Sequence, residues 1–174
     1  MIVITAPHLY IPKYDDVTVF LAGGITGCRD WQKETIEHLR KFVGRDDTQV
    51  VVYNPRQEDF VGNYNLNATI DQIIWEYQYL NQVDIFSMYF VGGNQIQPIC
   101  MYELGRYIKP YEEEQVISVE KNYIRKIDVV NQVALTTRGL TAVNTEATPY
   151  THAKAIFESI EKVKERKMRR PTCQ

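Results

Sequence analysis

Apolar positions along this chain alternate between two rhythms. Val17 to Ala22 is a β-rich apolar run that ends in Gly23-Gly24. Asp30 then stands where a helix cap belongs, and Ile36, Leu39 and Val43 recur at helical spacing, which predicts a helix from Trp31 to about Phe42. Gly44 and the polar Arg45-Asp46-Asp47 end it. Gln49 to Tyr53 reads as a second strand closed by Asn54-Pro55, and Glu58 to Asn67 as a loop. Ile70, Ile73, Ile74 and Tyr77 fall at i, i+3, i+4 and i+7, one face of a helix. Val83 to Phe90 is a third strand and Gly92-Gly93-Asn94 a loop. Pro98 suits a first helical position, opening a helix that runs to about Ile108 and stops before Pro110. Val116 to Val119 is a fourth short strand, and Asn122 to Gly139 reads as a short helix or a strand edge. From Thr151 to about Met168, Ala153, Ile156, Phe157, Ile160 and Val163 share one side of a last helix.

Strands alternating with helices imply βαβ units and a parallel sheet covered on both faces, with right-handed crossovers. Ligands bind such sheets at the carboxyl ends of the strands. Gly23-Gly24, Asn54 to Arg56 and the segment from Val91 to Gln97 all follow strands, so they lie on the ligand side. Asp84 opens its strand, lies at the opposite end and is read as structural.

Composition narrows the function classes. A chain of 174 residues with 44% hydrophobic and 24% charged positions fits a single domain, residues 1–174, of ordinary globular make-up. The formal net charge of -2 argues against a partner such as a nucleic-acid polymer, whose phosphates would have to be neutralised. Cys28, Cys100 and Cys173 form no paired framework, and neither they nor His8, His38 and His152 have metal-ligand spacing, so no metal and no cofactor is expected. No apolar run approaches membrane-spanning length, and the short start Met1-Ile2-Val3-Ile4 lacks the form of a signal peptide. No membrane partner and a cytoplasmic location are the expectation. The twelve tyrosines read as interface and core-edge residues or as part of a ligand site.

Three groups of residues offer chemistry. Gly23-Gly24-Ile25-Thr26-Gly27 lies between strand and helix, where glycines let backbone amides approach an anion or a sugar; a plain tight turn explains them equally well. Glu76 falls at the edge of an apolar helix stripe, where partial withdrawal from water favours a protonated general acid; the alternative is a solvated glutamate on a helix rim. Glu103 follows Pro98 on its helix, near the proposed crevice, where amide dipoles weakly favour the ion; the alternative is an i,i+3 surface pair with Arg106. Gly105 suggests the close approach of another backbone. One protonated and one ionised carboxyl group suit glycosidic bond chemistry. His38 reads as a structural residue of its helix, and Lys162 to Arg170 as a solvated helix end.

Phe20-Leu21-Ala22-Gly23-Gly24-Ile25, Asp30-Trp31-Gln32, Asn54-Pro55-Arg56, Trp75-Glu76 with Asp84 eight residues on, and Pro98-Ile99 with Tyr102-Glu103-Leu104-Gly105 occur in an order that resembles the nucleoside 2-deoxyribosyltransferase-like family, particularly its bacterial and phage branch. The similarity spans Val17 to about Ile108 and weakens toward Gln132. It implies an α/β fold, a flavodoxin-like three-layer αβα sandwich with a five-stranded parallel sheet. It implies a retaining transfer of 2-deoxyribose between nucleobases through a covalent deoxyribosyl-Glu103, with Glu76 assisting the sugar and the leaving base. Many members carry aspartate at the Glu76 position, one methylene shorter. The substrates implied are a 2′-deoxynucleoside and a free nucleobase. Expected substrate contacts are Gly23, Gly24, Ile25 and Thr26 near the sugar 5′ side, with Trp31, Asn54, Arg56, Asn94 and Met101. Related hydrolases grip a 5′-phosphate with an arginine in the first loop. Thr26 stands there in this chain, with Arg29 close, which favours a nucleoside over a nucleotide. The branch often carries a proline and an acidic residue where this chain has Val91-Gly92-Gly93-Asn94. Family sites are often completed by a neighbouring subunit, so a homo-oligomer is expected, with Asn122 to Gln132 as one source of such a contact. Two other readings remain: an N-glycoside hydrolase acting on deoxynucleosides, deoxynucleoside 5′-monophosphates or an NAD-type nucleotide, and a non-catalytic nucleotide-sensing module.

Overall fold

The computed structural model describes residues 1–44, 47, 49–57, 66–110 and 114–169. Strands and helices alternate in the order β1 (Ile2–Thr5), β2 (Val17–Gly23), α1 (Trp31–Val43), β3 (Val50–Asn54), α2 (Leu66–Leu80), β4 (Ile85–Phe90), α3 (Pro98–Tyr107), β5 (Gln115–Val119), α4 (Lys126–Thr137), β6 (Val143–Asn144) and α5 (Pro149–Arg169). The sheet order is β1-β3-β2-β4-β5-β6. Every pairing is parallel. The expected loop from Glu58 to Asn67 falls almost wholly outside the described residues.

The five strands β3-β2-β4-β5-β6 have the flavodoxin-like order. The sixth, β1, corrects the expected count of five. Ile2 to Thr5 pairs with β3 from Ile2↔Val51 to Thr5↔Asn54 and forms an edge. Ile2 to Thr5 is a run of β-branched residues too short to show alternation, and the edge of β3 pairs with it. Neither β6, two residues long, nor β1 was among the four strands that periodicity predicted.

The pleat divides the core between two faces. Phe20 and Ala22 of β2 join Val51, Tyr53, Phe86 and Met88 under α2, α3 and α4, through Trp75, Tyr79, Cys100, Leu104, Val129 and Val133. Val17, Val19 and Leu21 join Val50, Val52 and Ile85 under α1 and α5, through Trp31, Ile36, Leu39, Ala153, Ile156 and Ile160. This is the expected three-layer sandwich, in which alternation along each strand feeds opposite layers. Asp30 caps α1 by accepting from Lys33 N at 3.0 Å. The segment between Asn122 and Gly139 resolves as the helix α4.

The apolar face Ile70, Ile73, Ile74 and Tyr77 points away from this core. These side chains are 45–59% exposed, whereas Gln72, Trp75, Tyr79 and Leu80 form the buried side of α2. At the opposite end of the sheet from the ligand side, Asp84 accepts from Thr18 N and Thr18 Oγ1, both at 2.9 Å, and pairs with Lys167 at 3.1 Å. Its structural reading holds. Among the described residues, no helix is long and apolar enough to cross a membrane, and no cluster of ligating side chains suits a metal ion.

Candidate active site

Between the carboxyl ends of β2 and β4 the connections diverge, one toward α1 and the other toward α3. A crevice of about 570 Å³ opens there. Its walls are β2 (Phe20, Ala22), the loop after it (Gly24, Ile25, Thr26), α2 (Gln72, Ile73, Glu76) and the entry to α3 (Gln97, Ile99, Glu103). The volume suits a small organic ligand. A larger groove of about 730 Å³ runs along the outer surface of α1 by Met1, Glu37, Arg40 and Lys41. It holds no paired carboxylates.

Glu76 and Glu103 meet in the crevice from different helices. Both are half-buried. Burial raises the Glu76 carboxyl above its ordinary range, against a lowering contribution from the Gln72 amide. Glu103 is pushed to about 8, first by burial and then by the negative charge of Glu76. The expected help from helix dipoles at Glu103 is therefore outweighed; the effect fades beyond the first turn, and Glu103 lies five residues after Pro98. Each carboxyl thus holds its proton more tightly than an exposed glutamate does. The surface-pair alternative for Glu103 fails, because Arg106 instead donates to Tyr102 OH at 2.8 Å and lies 5.0 Å from the Tyr77 ring centroid. Among the described residues, Glu103 makes no hydrogen bond.

The first loop is held from below and from outside. Trp31, fully buried, stacks on Tyr89 at 4.7 Å and donates from Nε1 to Gly24 O at 2.9 Å. A Cβ on Gly23 would lie 2.3 Å from Tyr89 O and 2.6 Å from the Trp31 ring, so close packing requires this glycine. Arg56 donates to the carbonyl oxygens of Ile25, Cys28 and Arg29 and to Gln32 Oε1, at 3.0–3.2 Å. Glu120, just past β5, accepts from Arg29, Tyr89 OH and Gly92 N, tying the two loops together. Tyr123 OH donates to Ile96 O at 2.6 Å, and Gly93 N to Asn122 O at 3.0 Å. Asn122 and Tyr123 thus brace a loop of their own chain.

Of the expected contacts, Gly23, Gly24, Ile25 and Thr26 line the crevice with both glutamates. Trp31 lies beneath the loop, out of ligand reach. Asn54 and Arg56 line a separate groove with Asp30, Lys33 and Arg40, and Asn54 Oδ1 accepts from Arg56 N. Asn94 is exposed outside the crevice, and Met101 packs against the core. Gly105 has open space around it, with nothing within 4 Å of an added Cβ, so no backbone approaches it among the described residues. Gln95 and Gln97, from the segment that sequence position put on the ligand side, line it too, whereas sequence reasoning missed Gln72 and Cys100. Gln72 had a signal: it precedes Glu76 by one helical turn. Gln97 Nε2 donates to Val91 O at 2.8 Å from a left-handed backbone with φ 52°, an arrangement that its position after a strand does not reveal.

Residues 16–123 match the model of a family described as nucleoside 2-deoxyribosyltransferase like. A comparison with curated proteins found no match.

Proposed function

The chain belongs to the nucleoside 2-deoxyribosyltransferase-like family, and from that premise we propose that it transfers 2-deoxyribose between nucleobases, with Glu103 as nucleophile and Glu76 as general acid and base. The observation that carries this reading is the pair of half-buried carboxyls facing one crevice at the sheet's switch point, both with raised proton affinity.

A Glu103 oxygen bonds to C1′ of a 2′-deoxynucleoside as the bond from C1′ to the base nitrogen breaks. The electron pair leaves with the base, which takes a proton from Glu76. Positive charge developing at C1′ favours the ionised form of Glu103, with the proton on Glu76. An incoming base then attacks C1′, returns its proton to Glu76 and frees Glu103. Two inversions give retention. The missing 2′-hydroxyl favours the reaction, since its electron withdrawal would destabilise the cationic transition state.

A neutral nucleoside fits better than a nucleotide. No Lys, Arg or His lines the crevice among the described residues. Arg29 is paired with Glu34 and Glu120, and the Arg56 guanidinium is spent on loop carbonyls. Water in place of the acceptor base would make the same site a hydrolase.

The family reading also implies a homo-oligomer. Support comes from the exposed face of α2, which continues onto α3 through Ile99 and Tyr102, with Arg106 between the Tyr77 and Tyr102 rings. A second copy of the chain is the proposed occupant, and sedimentation equilibrium tests it: a monomer at micromolar concentration overturns it.

The decisive experiment incubates the protein with a panel of deoxynucleosides, with and without free bases, and reads products by chromatography. Intact-mass analysis then seeks one added deoxyribosyl group on Glu103. Exchange and adduct together are expected. Sugar release unaffected by acceptor bases favours the hydrolase, and tight binding without turnover sinks the enzymatic reading.

A further inference from the structure

Gln72 occupies the buried side of α2, one turn before Glu76, and is 8% exposed. Its amide is fully committed. Nε2 donates to Pro55 O at 3.0 Å and to Glu76 Oε1 at 2.9 Å, while Oε1 accepts from Gln57 Nε2 at 2.9 Å. This orientation is forced. A backbone carbonyl only accepts, so the NH₂ group must face Pro55, and its second hydrogen then faces Glu76. The carbonyl oxygen of a carboxylic acid is a better acceptor than its hydroxyl, so a donor at Oε1 favours Oε2 as the site of the Glu76 proton. Oε2 accepts no hydrogen bond among the described residues.

We infer that Gln72 is a positioning residue for the proposed reaction: it favours Oε2 as the site of the Glu76 proton and, as a donor to the carboxylate, stabilises the ionised form. This rests on the function proposed above, but its physical core is a statement about Glu76 alone. The titratable side chains that share the crevice are Glu103 and Cys100, both on α3, and Cys100 is held as the neutral thiol by burial and by Glu103. Glu76 therefore has one described hydrogen-bond donor and one neighbouring acid, Glu103, whose proton affinity the Glu76 charge raises. Removing the donor must raise its affinity for the proton and free the carboxyl to rotate.

The test labels glutamate carboxyl carbons with ¹³C and follows Glu76 by NMR titration in Glu103→Gln protein, which removes the neighbouring acid. Adding Gln72→Met should move the Glu76 midpoint up by about half a pH unit or more, at least about threefold in acid constant. Gln72→Leu, which also lacks the donor and adds no charge, should likewise move it up, and serves if the methionine variant fails to fold. An unmoved or lowered midpoint overturns the inference. So does an equal rise in Gln57→Ala, which would assign the effect to a loosened Pro55 segment. With Glu103 intact, the acidic limb of the kcat/KM profile should shift upward in Gln72→Met, with kcat falling more than KM rises. A raised KM with an unmoved limb overturns the positioning role. If no deoxynucleoside turns over, the function proposed above fails, while the titration still decides the role of Gln72.

Discussion

The Trp31 indole donates its one hydrogen to the Gly24 carbonyl oxygen at 2.9 Å, from a position with no exposure to solvent. The first residue of α1 thereby sets the height of the loop that walls the crevice. Stacking on Tyr89 fixes the ring, and the ring fixes the loop.

Trp31→Phe keeps much of the stacking and loses the donor. Leaving the Gly24 carbonyl unpaired should cost about 1–3 kcal/mol of stability, read by urea denaturation. KM should rise more than kcat falls, because the loop contacts the ligand without performing chemistry. An unchanged KM would separate loop height from binding.

Glu103→Gln should abolish exchange and the covalent adduct while making the protein more stable at neutral pH. The sign follows from linkage. The folded value of about 8 lies above the ordinary 4.5, so the folded state binds more proton between these values and stability falls as pH rises through that window. Replacing the acid removes this loss, a gain of about 1–2 kcal/mol at pH 7 after allowance for water in the crevice. Equal thermal midpoints for both proteins at pH 7 would contradict the burial argument.

Glu76→Ala should slow glycosidic cleavage most for bases that are poor leaving groups, since these need the proton most. Single-turnover rates across bases of graded basicity give the comparison. A uniform loss would reduce Glu76 to a positional role.

His152 supplies a second pH effect, remote from the chemistry. Its ring bridges Ser87 Oγ and Ser118 Oγ at 2.8 Å each, one nitrogen donating and the other accepting. Complete burial lowers it from 6.5 to about 3. The unfolded state then binds the extra proton, so stability is full above 6.5 and falls with pH below it. The loss should reach about 2 kcal/mol at pH 5, and His152→Phe should abolish this dependence while being less stable at pH 7. Denaturation curves at pH 7 and pH 5 decide.

Asp84→Ala should cost about 1–3 kcal/mol, because Thr18 N loses its acceptor at the closed end of the sheet. Turnover per folded molecule should be unchanged. A selective loss of kcat would move Asp84 into the site.

Much of this protein was legible without coordinates. Alternation in Val17 to Ala22 and helical spacing after Asp30 are local consequences of pleat and pitch, so they predicted β2 and α1 closely. Position after a strand placed Gly23 and Gly24 on the ligand side, and position before one removed Asp84. Motif order identified the family, and hence the roles proposed for Glu76 and Glu103. Other features depend on partners distant in sequence. Ile2 to Thr5, too short to show alternation, becomes a strand by pairing with the edge of β3. The face Ile70, Ile73, Ile74 and Tyr77 has the period of a buried stripe, yet Trp75 and Tyr79 take the core. Periodicity reports that a helix has an apolar side, not which side the sheet covers. Trp31 and Arg56 sit within the family motifs but spend their donors on the loop instead of the crevice. The raised proton affinity of Glu76 and Glu103 is likewise tertiary: residues on two helices must be half-buried in one crevice before either carboxyl holds its proton more tightly than an exposed glutamate.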